Sequence, residues 1–317
     1  MIAKLFKLNS YVSLTVTGLL LSLVAYNYSN LTIIWLSFQA KSLNFLLILA
    51  TLIITIRAIG RVFQFVRIDT SSNYYMLLYP LILLVFPVES VDLRLLLCPA
   101  FFFSGWSFFR QYIENKNTIS SKRSMVLLFD SILLVSLSSI LFIEHLLLLL
   151  FLLAGLVFSK KSINLRELGV FIIIPVLLFF TTYNIFLLFD VDALFFSSFI
   201  SLNNLSFSNQ FSLSFIYHAP ALLFVFVLFT CSLLLLFRKK TSYDVQTLDY
   251  DGLFYFGIVL LVIAFINPQS GLELHYLSLP LTYYIYHLFL WKKDSYFANF
   301  ILISLIINVL LFTFVLN

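Results

Sequence analysis

The feature that most constrains this chain is a series of long apolar runs, each close to the length that crosses a lipid bilayer. The stretch from Leu146 to Phe158 is one example, and its apolar residues are continuous rather than alternating. Backbone groups in lipid must be hydrogen-bonded within the protein, so such a run predicts a helix and argues against a transmembrane barrel. Only 10% of the residues are charged, whereas soluble domains typically have about 25%. The sequence therefore predicts an all-α, polytopic membrane protein.

The runs predict a transmembrane helical bundle of about eleven spans that forms a single integral membrane domain over residues 1–317. The second span is the least sharply bounded, because Leu31 to Ala40 is also apolar and would form an interfacial helix or a tilted span through Lys41. Lys4 and Lys7 precede the first run as in a signal peptide, but no small-residue cleavage pattern follows, which favours a retained helix. The predicted spans are 10–27, 42–58, 73–88, 93–109, 125–143, 145–159, 168–189, 213–237, 252–267, 276–291 and 296–315.

The distribution of basic residues predicts the orientation of these spans. If the N-terminus is inside and the spans alternate, 17 of the 19 Lys and Arg residues fall inside, and only Lys41 and Arg94 fall outside. This is the pattern of the positive-inside rule, and it predicts an outside C-terminus. The basic residues lie at helix ends without forming a dense tract, so the net charge of +5 does not indicate a nucleic-acid partner.

Ionisable side chains gather in the predicted outer connections, where they could line one cavity. Carboxylates and a histidine can perform general acid–base chemistry, and an arginine can hold a phosphate with two hydrogen bonds. The alternative is that each is a turn residue at the level of the lipid headgroups. The candidates are Glu89 and Asp92 as catalytic acids or bases, and Arg94, Glu144, His145, His218, Glu273 and His275 as substrate-binding groups.

The sequence carries no pattern that predicts a metal or a cofactor. It has no glycine-rich nucleotide-binding motif, no HExxH and no GxSxG. Cys98 and Cys231 both lie inside apolar runs, which favours small apolar side chains facing the lipid or the bundle over ligands. Transport driven by nucleotide binding to this chain, and metalloprotease chemistry, are therefore not predicted.

Several segments of the chain follow a characteristic order: Met1 to Phe6, the Phe86-Pro87 end of the third span, Leu128 to Ser131, Leu165 to Gly169 and the helix with Pro175. This order resembles a family of polytopic inner-membrane proteins of unknown function from Bacteroidota. The resemblance implies a bacterial inner (cytoplasmic) membrane and supplies no activity.

A second resemblance concerns the start of the tenth span, His275-Tyr276-Leu277-Ser278-Leu279-Pro280. It is similar to helix starts in membrane glycosyltransferases that use polyprenyl-phosphate sugar donors at the outer face. Those enzymes carry a catalytic acid in the first outer loop, whereas Ser29 to Lys41 contains none. Glu89 or Asp92 would have to replace that acid.

Three functions therefore remain open. The first is the handling of a membrane lipid or a polyprenyl-phosphate-linked glycan at the outer face, and it requires the candidate residues to converge. The second is a non-catalytic subunit or scaffold with an envelope protein partner, and it predicts an exposed apolar seam. The third is a transporter or flippase, which the few polar residues at helix centres and the 8 glycines argue against.

Overall fold

The computed structural model describes residues 11–35, 41–65, 73–86, 88, 90–115, 121–141, 145–159, 164–189, 222–231, 275–291 and 295–310. These residues are almost entirely helical. The helices are α1 (Tyr11–Ser29), α2 (Lys41–Phe65), α3 (Tyr74–Val85), α4 (Leu93–Asn115), α5 (Ser121–Leu141), α6 (Leu146–Ser159), α7 (Leu165–Leu188), α8 (Leu222–Cys231), α9 (His275–Trp291) and α10 (Ser295–Leu310).

Each of these helices falls on a predicted span, and the predicted span at 252–267 lies outside the described residues. Four are long and apolar enough to cross a membrane, namely α1, α2 over Lys41–Val62, α5 over Arg123–Leu141, and α7. The apolar helices α3, α6 and α8 are shorter. The chain is thus an α-helical protein with several membrane-compatible helices, as the apolar runs predict.

The connection after α1 differs from the prediction. Strand β1 (Thr32–Trp35) pairs in parallel with β2 (Ser90–Asp92), so the described part of Leu31 to Ala40 is not helical. Two β-branched isoleucines and a tryptophan follow Thr32, and such residues favour a strand. The register aligns Trp35 with Asp92. The ladder therefore joins the connection after α1 to the connection before α4.

The bundle is centred on α4, which packs most closely against α5. A Cβ atom added to Gly105 of α4 would lie 2.9 Å from the backbone oxygen of Ser131 and 2.9 Å from a methyl group of Val135. Trp106 of α4 also stands edge-on to Phe151 of α6, with ring centroids 5.2 Å apart. The missing side chain at Gly105 thus sets the distance between α4 and α5.

One set of contacts gathers helix ends around His145, and we call this the histidine end. The hydroxyl of Tyr276 lies 2.8 Å from His145 Nε2. The β1–β2 ladder and the hydrogen bond from the Tyr28 hydroxyl to the Leu83 carbonyl, 3.5 Å long, belong to the same end. These contacts join the C-terminal ends of α1 and α3 and the N-terminal ends of α6 and α9.

A second set gathers the opposite ends around Glu167, and we call this the glutamate end. Glu167 is 2% exposed. One of its carboxylate oxygens accepts a hydrogen bond from the Tyr112 hydroxyl of α4, and the other accepts the Asn164 backbone N–H at 3.2 Å, which caps α7. At this end Tyr74 of α3 also packs against Tyr286 of α9, with centroids 6.3 Å apart. From α1 to α7 successive helices therefore alternate in direction between the two ends, and α9 runs from the histidine end to the glutamate end.

The close approach at Gly105 generates a stability prediction. Gly105→Ala should lower the free energy of unfolding by about 1–3 kcal/mol, because α4 and α5 must separate to admit the methyl group. Gly18→Ala is the matched control, since a Cβ there has nothing within 4 Å; it should be neutral or slightly stabilising. The midpoint of thermal unfolding in detergent measures both, and equal effects would contradict this packing.

Candidate functional site at the histidine end

His145 is 0% exposed, and both of its ring nitrogens have partners. Nδ1 lies 3.2 Å from the Ser138 carbonyl oxygen, and Nε2 lies 2.8 Å from the Tyr276 hydroxyl. A carbonyl can only accept, so Nδ1 must carry the proton and Nε2 then accepts from Tyr276. The hydrogen bonds thus select one neutral tautomer of the imidazole.

The Ser138 carbonyl needs these partners because of its place in α5. The last four carbonyls of a helix have no acceptor role within that helix, and α5 ends at Leu141. His145 donates to the Ser138 oxygen, and the Cys98 thiol of α4 lies 3.7 Å from the same oxygen. One helix-end carbonyl therefore connects α4, α5 and the residue that precedes α6.

The same contacts bring α9 to this point. Tyr276 is 0% exposed, and its ring stands edge-on to His145 with centroids 5.2 Å apart. It is the second residue of α9, which His275 begins. The hydrogen bond between Tyr276 and His145, which are 131 positions apart in the sequence, therefore holds the start of α9 against the start of α6.

Arg94 belongs to the same end of α4. It lies one helical turn before Cys98, so the two residues occupy the same face of that helix. Its side chain is half-buried. Asp92 ends β2 immediately before α4, and the ladder fixes its backbone beside Trp35. The connection before α4 thus approaches the contacts of His145.

The structure brings together some of the sequence-predicted residues. Arg94, His145, the backbone of Asp92 and the backbone of His275 all lie at the histidine end. The remaining candidates lie outside the described residues, and they are Glu89, Glu144, His218 and Glu273. His145 itself is enclosed by protein, so in this arrangement it positions helices rather than facing a cavity.

Sequence reasoning missed the partners of His145. In the sequence Tyr276 is only part of a helix start, and nothing in a single sequence marks Ser138 or Cys98 as neighbours of this histidine. Cys98 is 0% exposed, which places it inside the bundle. Within the part of the chain that the structure describes, no group of three His, Cys, Asp or Glu side chains could hold a metal ion.

Burial also sets the charge state of His145, which lies in the connection between α5 and α6. Removal from water lowers its pKa from 6.5 to about 3, and the hydrogen bond with Ser138 opposes this only in part. The unfolded chain binds a proton below about pH 6.5, whereas the folded chain stays neutral at this site until about pH 3. The stability that the neutral ring provides is therefore complete above pH 6.5 and is lost as the pH falls towards 3.

The hydrogen bond from Tyr276 can be tested by removing one atom. Tyr276→Phe leaves Nε2 of His145 buried without its partner, so the free energy of unfolding should fall by about 1–3 kcal/mol. Tyr296→Phe in α10 is the control, because Tyr296 is 86% exposed and should tolerate the change. Thermal unfolding in detergent distinguishes them, and an unchanged Tyr276→Phe midpoint would contradict the contact.

The buried neutral imidazole predicts a pH dependence. Between pH 7.5 and pH 5 the thermal midpoint of the wild type should fall more than that of His145→Gln, because glutamine does not titrate in this range. The comparison cancels the titration of all other groups. If both proteins lose stability equally over this range, protonation of His145 does not oppose folding.

Comparison of the chain with protein-family models, with curated proteins and with solved structures finds no match. What the chain does must therefore be inferred from its own residues and geometry.

Proposed function

We propose that this chain is an integral protein of a bacterial inner membrane that handles a lipid or a lipid-linked glycan at the outer face. The proposed topology has about eleven spans, with the N-terminus inside and the C-terminus outside. Its histidine end faces outward and its glutamate end faces the cytoplasm. The chemistry resembles that of polyprenyl-phosphate-dependent glycosyltransferases.

The charges of the two ends support this orientation. The described cations of the glutamate end outnumber those of the histidine end, where only Lys41 and Arg94 are found among the described residues. Loops that remain in the cytoplasm are enriched in Lys and Arg. The described cations at the glutamate end are Arg57, Arg61, Arg110, Lys122, Arg123 and Arg166.

The observation that carries the proposed site is the shared contact at the Ser138 carbonyl. Through it and through the hydrogen bond between Tyr276 and His145, the N-terminal part of α4, the residue before α6 and the start of α9 approach one another, and each adjoins a predicted outer connection. A site for lipid-linked chemistry requires this convergence, since a base and a phosphate-binding group must reach the same substrate.

The roles of the residues follow from their chemistry. Asp92 or Glu89 would act as the base, and Arg94 would bind a phosphate through its planar guanidinium. His275, Glu273, Glu144 and His218 would bind the substrate. The register of β1 and β2 places Asp92 beside Trp35. The first outer connection, which contains no acidic residue, therefore lies next to an acidic residue from the connection before α4.

Transport is less well supported, because several buried hydroxyls of the helix interiors form hydrogen bonds within their own helix. Thr17 donates to the Ser13 carbonyl at 2.7 Å, and Thr55 donates to the Thr51 carbonyl at 2.8 Å. Thr282 of α9 donates to Ser278 in the same way, at 2.5 Å. Hydroxyls that bond within their own helix do not form a polar path across the membrane.

A scaffold function has one observation in its favour. In an 18-residue apolar stretch of α7 only 11% of the residues are buried, compared with 39% in α1 and 50% in α2. Such a face suits either lipid or a partner helix. A stable partner recovered from native membranes and lost on substitution of the exposed Phe180 of α7 would favour the scaffold.

The site can be tested with a polyprenyl phosphate added to the purified protein. Arg94→Gln should weaken binding by about 10- to 100-fold, as expected for loss of a charged hydrogen bond. Arg123→Gln at the opposite end is the control and should bind as the wild type does. Native mass spectrometry measures the bound fraction. Equal binding by both variants, or none by the wild type, would contradict the proposal.

The catalytic step needs a separate measurement. Asp92→Asn should still bind the polyprenyl phosphate but should stop consumption of a polyprenyl-phosphate-linked sugar by protein in vesicles, because the amide cannot accept a proton. If Asp92→Asn keeps full activity, Asp92 is not the catalytic base. Glu89 is then the remaining candidate, and Glu89→Gln tests it. Activity that survives the double substitution would rule out both acids.

A further inference from the structure

The exposed face of α2 changes character along its length. Leu43, Leu46, Ile53 and Ile54 are exposed large apolar residues. Leu43 lies three residues before Leu46, and Ile53 and Ile54 lie seven and eight residues after it, so all four share one helix face. The opposite face is buried, with Ile48, Leu52 and Ile59 at 0–1% exposure. The exposed residues therefore form a stripe that points away from the protein.

Two arginines continue this stripe at the glutamate end. Arg57 and Arg61 are both exposed, and their spacing of four places them one above the other on the same face. Neither makes an ion pair that is seen among the described residues. The stripe thus joins an apolar surface to a pair of cations that can act on one anion.

The dimensions of the stripe match one leaflet of a membrane. The rise from Leu46 to Arg57 is about 16 Å along the helix. The hydrocarbon core of a bilayer is about 30 Å thick, so each leaflet contributes about 15 Å. The apolar part of the stripe is therefore as long as the acyl chains of one lipid, and the arginines lie at the level of its headgroup.

The turn that carries the arginines is held in place from behind. A Cβ atom on Gly60 would lie 2.6 Å from the Tyr75 hydroxyl of α3, so this turn of α2 lies directly against α3. A fixed backbone reduces the cost of ordering two arginine side chains around one ligand.

We propose that this stripe is a binding site for an anionic phospholipid of the leaflet at the glutamate end. Its phosphate is held between Arg57 and Arg61, and its acyl chains lie along Leu46, Ile53 and Ile54. Guanidinium groups suit this task because they present paired donors to phosphate oxygens. The site lies at the opposite end from the proposed outer site and shares no residue with it.

The test measures the preference of the purified full chain for phosphatidylglycerol over phosphatidylcholine by native mass spectrometry. Each cation near an anionic lipid contributes a factor of about five in affinity, so Arg57→Gln with Arg61→Gln should weaken phosphatidylglycerol binding about 25-fold. Arg123→Gln with Arg166→Gln removes two exposed cations from the starts of α5 and α7 and should keep the preference.

Three results would overturn the proposal. In the first, the variant with Arg57→Gln and Arg61→Gln keeps the full preference for phosphatidylglycerol. In the second, the variant with Arg123→Gln and Arg166→Gln loses as much of that preference, which would mean that phosphatidylglycerol is attracted equally to any cation. Inorganic phosphate could displace phosphatidylglycerol at the same concentration, which would mean that the acyl chains contribute nothing. Arg57→Lys with Arg61→Lys, which keeps the charges, should bind with intermediate affinity and shows that a loss is not caused by misfolding.

Discussion

A carbonyl oxygen at the end of a helix has no partner within that helix, and a membrane supplies few others. In this chain the Ser138 carbonyl meets that requirement by accepting from His145 while the Cys98 thiol approaches it. His145 in turn accepts a hydrogen bond from the Tyr276 hydroxyl. The contacts that begin at this one helix-end oxygen therefore determine how α4, α5, α6 and α9 meet. The cost of leaving any of these groups unpaired in a buried site is what makes the arrangement specific.

The two ends of the bundle have different chemistry, and the two proposals rest on that difference. The histidine end brings together a neutral imidazole, a half-buried arginine and a strand that ends in Asp92. The glutamate end combines a buried, fully engaged carboxylate with exposed arginines. The first arrangement fits recognition of a polar group that is presented at the membrane surface, and the second fits contact with anionic lipids. Both proposals place lipid, rather than a soluble metabolite, at the centre of the function.

The helices were predictable because an apolar run in lipid has only one economical conformation, so α1 and α7 follow from local composition alone. The β1 strand was not, because Thr32 to Trp35 is apolar enough for a helix and becomes a strand only by pairing with Ser90–Asp92. The enzyme hypothesis requires the outer connections to converge, but the hydrogen bond between His145 and Tyr276 joins residues 131 positions apart, and no single sequence reveals such a pair. The sequence therefore predicts the helices that local composition determines, but it does not predict contacts between distant segments.

The central claim is that the histidine end and the glutamate end lie on opposite sides of the membrane, with the histidine end outside. Asn30 is exposed beside β1, and Leu165 is 87% exposed at the start of α7. In a chain with Cys98→Ala and Cys231→Ala, a membrane-impermeant maleimide should label Asn30→Cys in right-side-out vesicles and Leu165→Cys only in inverted vesicles. Labelling of both positions from the same side would contradict the account.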